Sequence, residues 1–296
     1  PGYPRTRGAH PTSRLQRELA PMSAALVAFL VAIGAGGFGS MVGIGGGLVI
    51  VPLLSVLLGY DVKVAIAASL IGVIATSLSA SPRYIKTGLA DRRLGMLLLV
   101  AAALGGLAGG VTAGLLDGRT LSLLFALLLT TVAVRMAWQI RHPIARPPLD
   151  DVEVSTRFAF SYVEPTSGEE VAYRAQRLLP GTLVSFLAGN VSGLLGVGGG
   201  VINVPTMNVL MHVPIRVATT TSTYMLAATA TASAVVYLAS GQLDPLLAAP
   251  VALGVIVGAR LGARLAMRLS QDVLRLAFVV VAAVFAVSMF LEFLAL

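Results

Sequence analysis

Long stretches without a single charged side chain decide what environment this chain can fold in. Uncharged runs extend from Leu19 to Tyr60 (42 residues), Val64 to Pro82 (19), Leu94 to Leu116 (23) and Thr120 to Val134 (15). The second half gives Leu178 to Ile215 (38), Val217 to Leu243 (27), Pro245 to Ala259 (15) and Leu276 to Leu291 (16). A bilayer core of about 30 Å is crossed by roughly 20 apolar residues in a helix. Without water, only helices and closed barrels satisfy their own backbone there. These runs are apolar on every side rather than alternating with period two, so a barrel is excluded. The expected fold class is an all-α, polytopic integral membrane protein.

Only 11% of residues are charged, against about 25% in soluble domains, which excludes disorder and coiled coils. The net charge of +8 does not indicate a nucleic-acid partner, because the basic residues gather between the apolar runs. The absence of cysteine excludes disulfide frameworks, thiolate metal sites and cysteine nucleophiles.

Composition divides the chain into four parts. Residues 1–21 are basic, Pro-broken and patternless with no Met at the start, and are expected to be a tail, native or foreign. Residues 22–138 form a first membrane repeat, 139–179 a soluble linker and 180–296 a second membrane repeat. The linker holds six of the 13 acidic residues. Near-alternation over Arg157–Val163, a turn signal at Pro165–Gly168 and a return at Val171–Tyr173 fit a small hairpin; a flexible linker fits equally.

The repeat is the second constraint. Sliding the chain by 153 residues places Gly43, Gly45, Gly46, Gly47 and Pro52 on Gly196, Gly198, Gly199, Gly200 and Pro205. The same shift pairs Ser69 with Ser222, Thr76 with Thr229, Tyr84 with Tyr237, Asp91 with Asp244, Gly105 with Gly258 and Gly109 with Gly262, without a gap. Isolated Tyr, Asp and Pro would not match by chance between apolar stretches. Duplicated halves with Gly-interrupted segments in corresponding places point to a secondary transporter with its site at the repeat interface.

Basic residues indicate orientation. Arg83–Arg93 carries four, Arg135–Arg177 six and Arg260–Arg275 four, whereas Ser240–Asp244, matching part of the first loop, carries none. Opposite bias in corresponding loops favours inverted repeats, each a Gly-broken helix pair followed by three spans. The linker is then cytoplasmic and both termini are outside, which puts the Arg-rich tail on the wrong side. Parallel repeats of four spans are the alternative.

The clusters Gly43–Gly47 and Gly196–Gly200 carry the expected chemistry. Glycine lets the backbone turn sharply and approach a ligand. Non-helical backbone at membrane depth is tolerated where it is buried in protein or lines a cavity. Amides opening the following helix would face that cavity and attract an anion. Candidate substrate-binding residues are therefore Gly45, Gly46, Gly47, Gly198, Gly199 and Gly200. Ser69, Asn190, Asn203 and Ser222 are added because amides and hydroxyls can bond the oxygens of an oxyanion. Close packing through small residues is the competing reading for the glycines, and interhelical bonding for the polar side chains. Packing alone accounts for Gly105, Gly109, Gly258 and Gly262.

Gly34–Gly39 fits G-x-G-x-x-G, but its flanks are uninterrupted apolar helix, so a dinucleotide fold is excluded. No acidic residue lies deep in a membrane segment, which excludes a carboxylate relay through the core. His212 reads as interfacial, and Arg260, Arg264 and Arg268 form one basic helix face. Enzyme motifs are missing, and neither a cofactor nor a metal is expected.

With its two GxGGG clusters, each followed by a proline, and its Gly258–Gly262 stretch, the chain resembles the sulfite exporter TauE/SafE family of bacterial membrane proteins over nearly all of 22–296. The resemblance implies transport of a sulfur-containing anion (sulfite, sulfoacetate or thiosulfate) across the cytoplasmic membrane, driven by an ion gradient such as protons or sodium. A passive anion channel and a receptor or assembly subunit without flux are the rival functions.

Overall fold

A computed structural model describes residues 14–42, 45–141, 159–163, 168–266 and 271–295. In the first half these form helices α1 (Arg14–Val42), α2 (Gly47–Pro52), α3 (Val62–Lys86), α4 (Arg92–Leu115) and α5 (Gly118–Arg141). Strands β1 (Ala159–Val163) and β2 (Glu170–Arg174) follow. The second half repeats the pattern as α6 (Leu178–Leu195), α7 (Gly200–Pro205), α8 (Ile215–Ala239), α9 (Pro245–Ala266) and α10 (Gln271–Ala295). The short helices α2 and α7 each continue into a π-turn, over Leu53–Leu57 and Thr206–Leu210. The protein is all-α and polytopic: among the described residues, six helices are long and apolar enough to cross a membrane.

Local chemistry explains the element ends. Asp61 caps α3 by accepting from the Lys63 amide at 2.8 Å. Asp91 caps α4 by accepting from the amides of Arg93 and Leu94. Gly196 ends α6 in a left-handed conformation with its amide on the Ser192 carbonyl at 2.8 Å, the usual glycine stop. At the other end of the chain, α1 runs back through Pro21 to Arg14, into the stretch expected to be patternless. A proline inside a helix removes one backbone bond without necessarily ending it. Residues 1–13 lie outside the described part, as do Gly43 and Arg268.

Packing follows the logic of a lipid solvent. Helix α4 buries Gly105, Gly106, Gly109, Gly110 and two alanines, while Met96, Val100, Leu104 and Val111 are exposed. Leucine has no reason to hide from acyl chains, and small residues let backbones approach. A Cβ on Gly105 would strike the Phe186 carbonyl of α6, and one on Gly109 the Asn190 carbonyl. The repeat counterparts do the same: Gly258 meets the Ile33 carbonyl of α1, and Gly262 the Gly37 carbonyl. Partners advance together along both chains, so α4 runs parallel to α6, and α9 to α1. Each half therefore lays its third long helix along the first helix of the other half, while α5 packs on α10 and α3 on α8.

The linker forms the hairpin. Strands β1 and β2 pair antiparallel, with Phe160 opposite Tyr173 and Tyr162 opposite Val171. Most of the acidic linker residues lie outside the described part.

Two glycines of α4 test this packing. Gly105→Ala forces the α6 backbone away and should cost about 1–3 kcal/mol, whereas Gly114, with nothing within 4 Å of its added Cβ, should accept alanine within about 0.5 kcal/mol. Unfolding of both variants in detergent, followed by tryptophan fluorescence or circular dichroism, measures the difference; equal costs would contradict the contact.

Candidate functional site

The broken segments turn back on themselves. The Gln176 amide, just ahead of α6, donates to the Met211 carbonyl at 3.0 Å, and Gly181 packs against the Met211 side chain. The start of α6 and the end of the α7 π-turn thus lie side by side. Between them the chain runs inward along α6, reverses at Gly196–Gly199 and returns along α7. The reversal needs glycine: Gly196, Gly198 and Gly199 have φ of 70°, 79° and 76°, where a side chain costs about 1–2 kcal/mol. In the first half Gly45 and Gly46 have φ of 89° and 77°.

The two reversals meet. A Cβ on Gly47 would collide with the Gly196 carbonyl oxygen and lie 3.1 Å from the Val197 Cα. Ser69, near the middle of α3, places its hydroxyl 2.9 Å from the Gly196 carbonyl and 2.7 Å from its own helix at Ile66. Thr76, two turns on, donates to the Gly45 carbonyl at 3.2 Å and to Gly72 at 3.0 Å. One helix of the first half therefore holds both turns. Val73 and Leu226, which the repeat shift superimposes, wedge against Gly45 and Gly198 alike: the added Cβ positions lie 2.6–3.5 Å from their methyl groups. The centre is closed by this apolar pair.

Around the second turn the backbone donors are left over. Among the described residues none accepts a hydrogen bond from the amides of Val197, Gly198, Gly199, Gly200 or Val201, and all five residues are buried. Successive amides in a left-handed turn make an anion-binding concavity. On α6 and α7, next to this turn in sequence, Ser192 Oγ and Asn203 Oδ1 are buried without a partner, and on α8 so is Ser222 Oγ, whereas most buried polar groups are bonded.

The candidate residues therefore divide. Gly45, Gly46, Gly47, Gly198, Gly199 and Gly200 form or flank the touching turns. Ser69 joins them, but its hydroxyl is already engaged as an interhelical tie. Asn203 and Ser222 are buried with an unpaired oxygen. Asn190 is half-buried, with its backbone against Gly105 and Gly109 of α4. The Gly34–Gly39 stretch is interior to α1, where Gly36 faces Val255 and Gly37 faces Gly258. Val73, Leu226 and the carbonyl-holding role of Thr76 were not singled out from the sequence. The repeat alignment contains the signal, because these are repeat-related positions near the centres of α3 and α8.

Further out, His212 occupies the place of Gly59 and keeps its left-handed backbone, φ 56° against 69°. Its Nδ1 is buried without a partner. At the end of the molecule that carries the linker, the Tyr173 hydroxyl donates to Asp91 Oδ2 at 2.9 Å. Burial, then the adjacent Asp91 carboxylate, hold that phenol far above its ordinary pKa, so it stays a donor. No group of three or more metal-ligating side chains occurs among the described residues.

Residues 28–289 match the sulfite exporter TauE/SafE family. The chain belongs to that family. It is 30% identical over 234 residues to the probable membrane transporter protein YunE of Bacillus subtilis, covering 76% of this chain and 83% of that one. The probable membrane transporter protein MJ0441 of Methanocaldococcus jannaschii is 27% identical over 191 residues, 62% of this chain and 59% of that one. No solved structure matches. Family and relatives make this a multi-pass membrane transporter.

Thr76→Val removes the hydroxyl from the Gly45 carbonyl and should cost about 1 kcal/mol. Thr131→Val loses only a bond to its own exposed helix at Leu127 and should be neutral. Chemical unfolding of the two proteins in detergent compares them; a Thr76 variant as stable as the parent would mean the carbonyl is not held.

Proposed function

We propose that the chain is a secondary transporter that moves a small sulfur-containing anion, of the sulfite, sulfoacetate or thiosulfate class, across the bacterial cytoplasmic membrane by alternating access. The observation that carries this reading is the run of buried amides at Val197–Val201 with no described acceptor, set where the two glycine turns touch. Oriented amides can hold an anion without a buried Lys or Arg. Ser192, Asn203 and Ser222 are the side chains free to add bonds, and the family name gives the substrate class.

The repeats are inverted in this reading. The second broken segment returns to the face it started from, and its first-half counterpart is taken to do the same. Three crossings then follow in each half, an odd number, so α6 enters from the face opposite α1. The parallel packing of α6 on α4 and of α1 on α9 fits this. It gathers Arg83, Lys86, Arg92, Arg93, Arg177, Arg216, Arg260 and Arg264 at the linker face, which the positive-inside rule makes cytoplasmic. Both termini are then outside. The touching turns, sealed by Val73 and Leu226, fit a carrier that opens to one side at a time better than a continuous pore. The coupling ion is a proton or sodium.

Purified protein in liposomes should accumulate sulfite or thiosulfate when a pH or sodium gradient is imposed. Equilibration without accumulation would point to a passive channel, and no flux of either anion would remove the substrate class. Gly46→Leu and Gly199→Leu, each placing a branched side chain at a left-handed turn, should lower flux at least about a hundredfold while the protein remains in the membrane. Normal flux in both would sink the assignment of the turns.

A further inference from the structure

We propose that the linker hairpin β1–β2 is a strap that ties the two repeats together at one face and biases the protein toward the state closed on that face; this rests on the alternating-access reading above. The hairpin is not a loose connection. Tyr162 and Tyr173 are 7% and 2% exposed and belong to a second apolar core, separate from the central one. That core takes Leu89 and Leu94 from the first repeat and Met207 and Met211 from the returning arm of the second. Tyr173 packs edge-on against Phe160 and Tyr162, with centroids 6.0 and 6.5 Å away.

Hydrogen bonds draw the same parts together. Tyr173 donates to Asp91 Oδ2 at 2.9 Å, and Asp91 caps α4 through Oδ1. The Asp91 amide donates to Thr221 Oγ1 of α8 at 2.9 Å, and Thr220 donates to the Leu89 carbonyl at 2.6 Å. The Gln176 amide, just beyond β2, reaches Met211 of the returning arm. Strand β2 and the residues just after it thus join the α3–α4 connection of the first repeat to the α7 arm of the second. A rearrangement that separates the repeats at this face must break those contacts.

Among the described residues the opposite face has no equivalent. The repeat counterpart of Asp91 is Asp244, which is half-buried and, among the described residues, accepts at its carboxylate only from the Leu246 amide. In a perfectly duplicated chain the states closed at either face would have equal energy. Contacts made at one face alone shift that equilibrium by their own free energy.

Single reporter cysteines test the strap, since the chain has none of its own. Ser81 on α3 and its repeat counterpart Ala234 on α8 are 8% and 7% exposed, toward the linker face and the opposite face respectively. Ser81→Cys and Ala234→Cys proteins are treated in membrane vesicles of both orientations with a membrane-impermeant maleimide. Adding Tyr173→Phe should raise labelling of the Ser81 reporter from the linker side about tenfold, the shift expected from losing one hydrogen bond to a carboxylate. It should lower labelling of the Ala234 reporter from the other side. Tyr162→Ala, which leaves the Tyr173–Asp91 bond in place, should move both rates the same way and carries the test if Tyr173→Phe does not reach the membrane. Unchanged labelling at both reporters, or increases at both, would overturn the strap. Opposite shifts without sulfite or thiosulfate flux in liposomes would keep the strap and remove the transport reading; flux without the shifts would do the reverse.

Discussion

Backbone that cannot bond to itself is the constraint on which this molecule turns. Helix satisfies its own amides and carbonyls, which is why most of the chain is helix at membrane depth. At two places the helix is interrupted by glycines with left-handed φ, and the interrupted backbone must find partners elsewhere. Gly45 and Gly196 show what that takes: Thr76 donates to the first carbonyl and Ser69 to the second. Both hydroxyls come from α3, so the placement of one helix fixes both turns. Because the carbonyls are held from α3 and the turns press on each other at Gly47, the amides of Val197–Val201 remain as donors in a buried setting. This run of buried donors follows from where the chain had to stop being a helix.

The close contacts of α4 with α6 and of α9 with α1 serve the same end. Each broken segment is laid along a continuous helix of the other half by glycines whose missing Cβ lets carbonyl meet backbone, as Gly105 does at Phe186 and Gly258 at Ile33. Exchanging partners in this way means that neither half has a packed core without the other. A duplicated unit that buries its first helix mainly against its twin gains much of its packing from the pairing, which also brings the turns together.

Much of this was legible in the sequence. Charge-free runs determined the all-α class, the repeat shift paired Gly105 with Gly258 and Gly109 with Gly262, which make equivalent contacts, and the doubled glycine clusters marked the turns. Glycines at helical spacing were correctly read as packing residues at Gly105, Gly109, Gly258 and Gly262. Less legible was the role of individual polar groups. Ser69 and Ser222 occupy equivalent positions, yet Ser69 is bonded across the interface while Ser222 Oγ has no partner. No composition rule separates a tie from a free donor, since that depends on a carbonyl over 100 residues away. Val73 and Leu226 were invisible for the opposite reason: in a chain that is 56% hydrophobic, one more apolar residue carries no mark. The choice between a hairpin and a flexible linker could not be made from Arg157–Tyr173 alone, because a two-stranded ribbon is marginal by itself and is stabilised here by Leu89, Met207 and Met211, far off in sequence.

Symmetry and its breaking together shape what the protein can do. The core contacts obey the repeat shift closely enough that Gly109 and Gly262 each meet the corresponding carbonyl of the opposite half. Departures concentrate around the second arm. Asn203 replaces Ile50, Ser192 replaces Gly39, and His212 replaces Gly59 while keeping its left-handed backbone. Each change adds a polar group, and each leaves a buried atom without a partner. The linker hairpin docks on the same arm, through Met207 and Met211. A duplicated scaffold repeats one packing twice, and these departures make the two copies unequal. The sites of divergence therefore add polar groups without disturbing the glycine packing that both copies share.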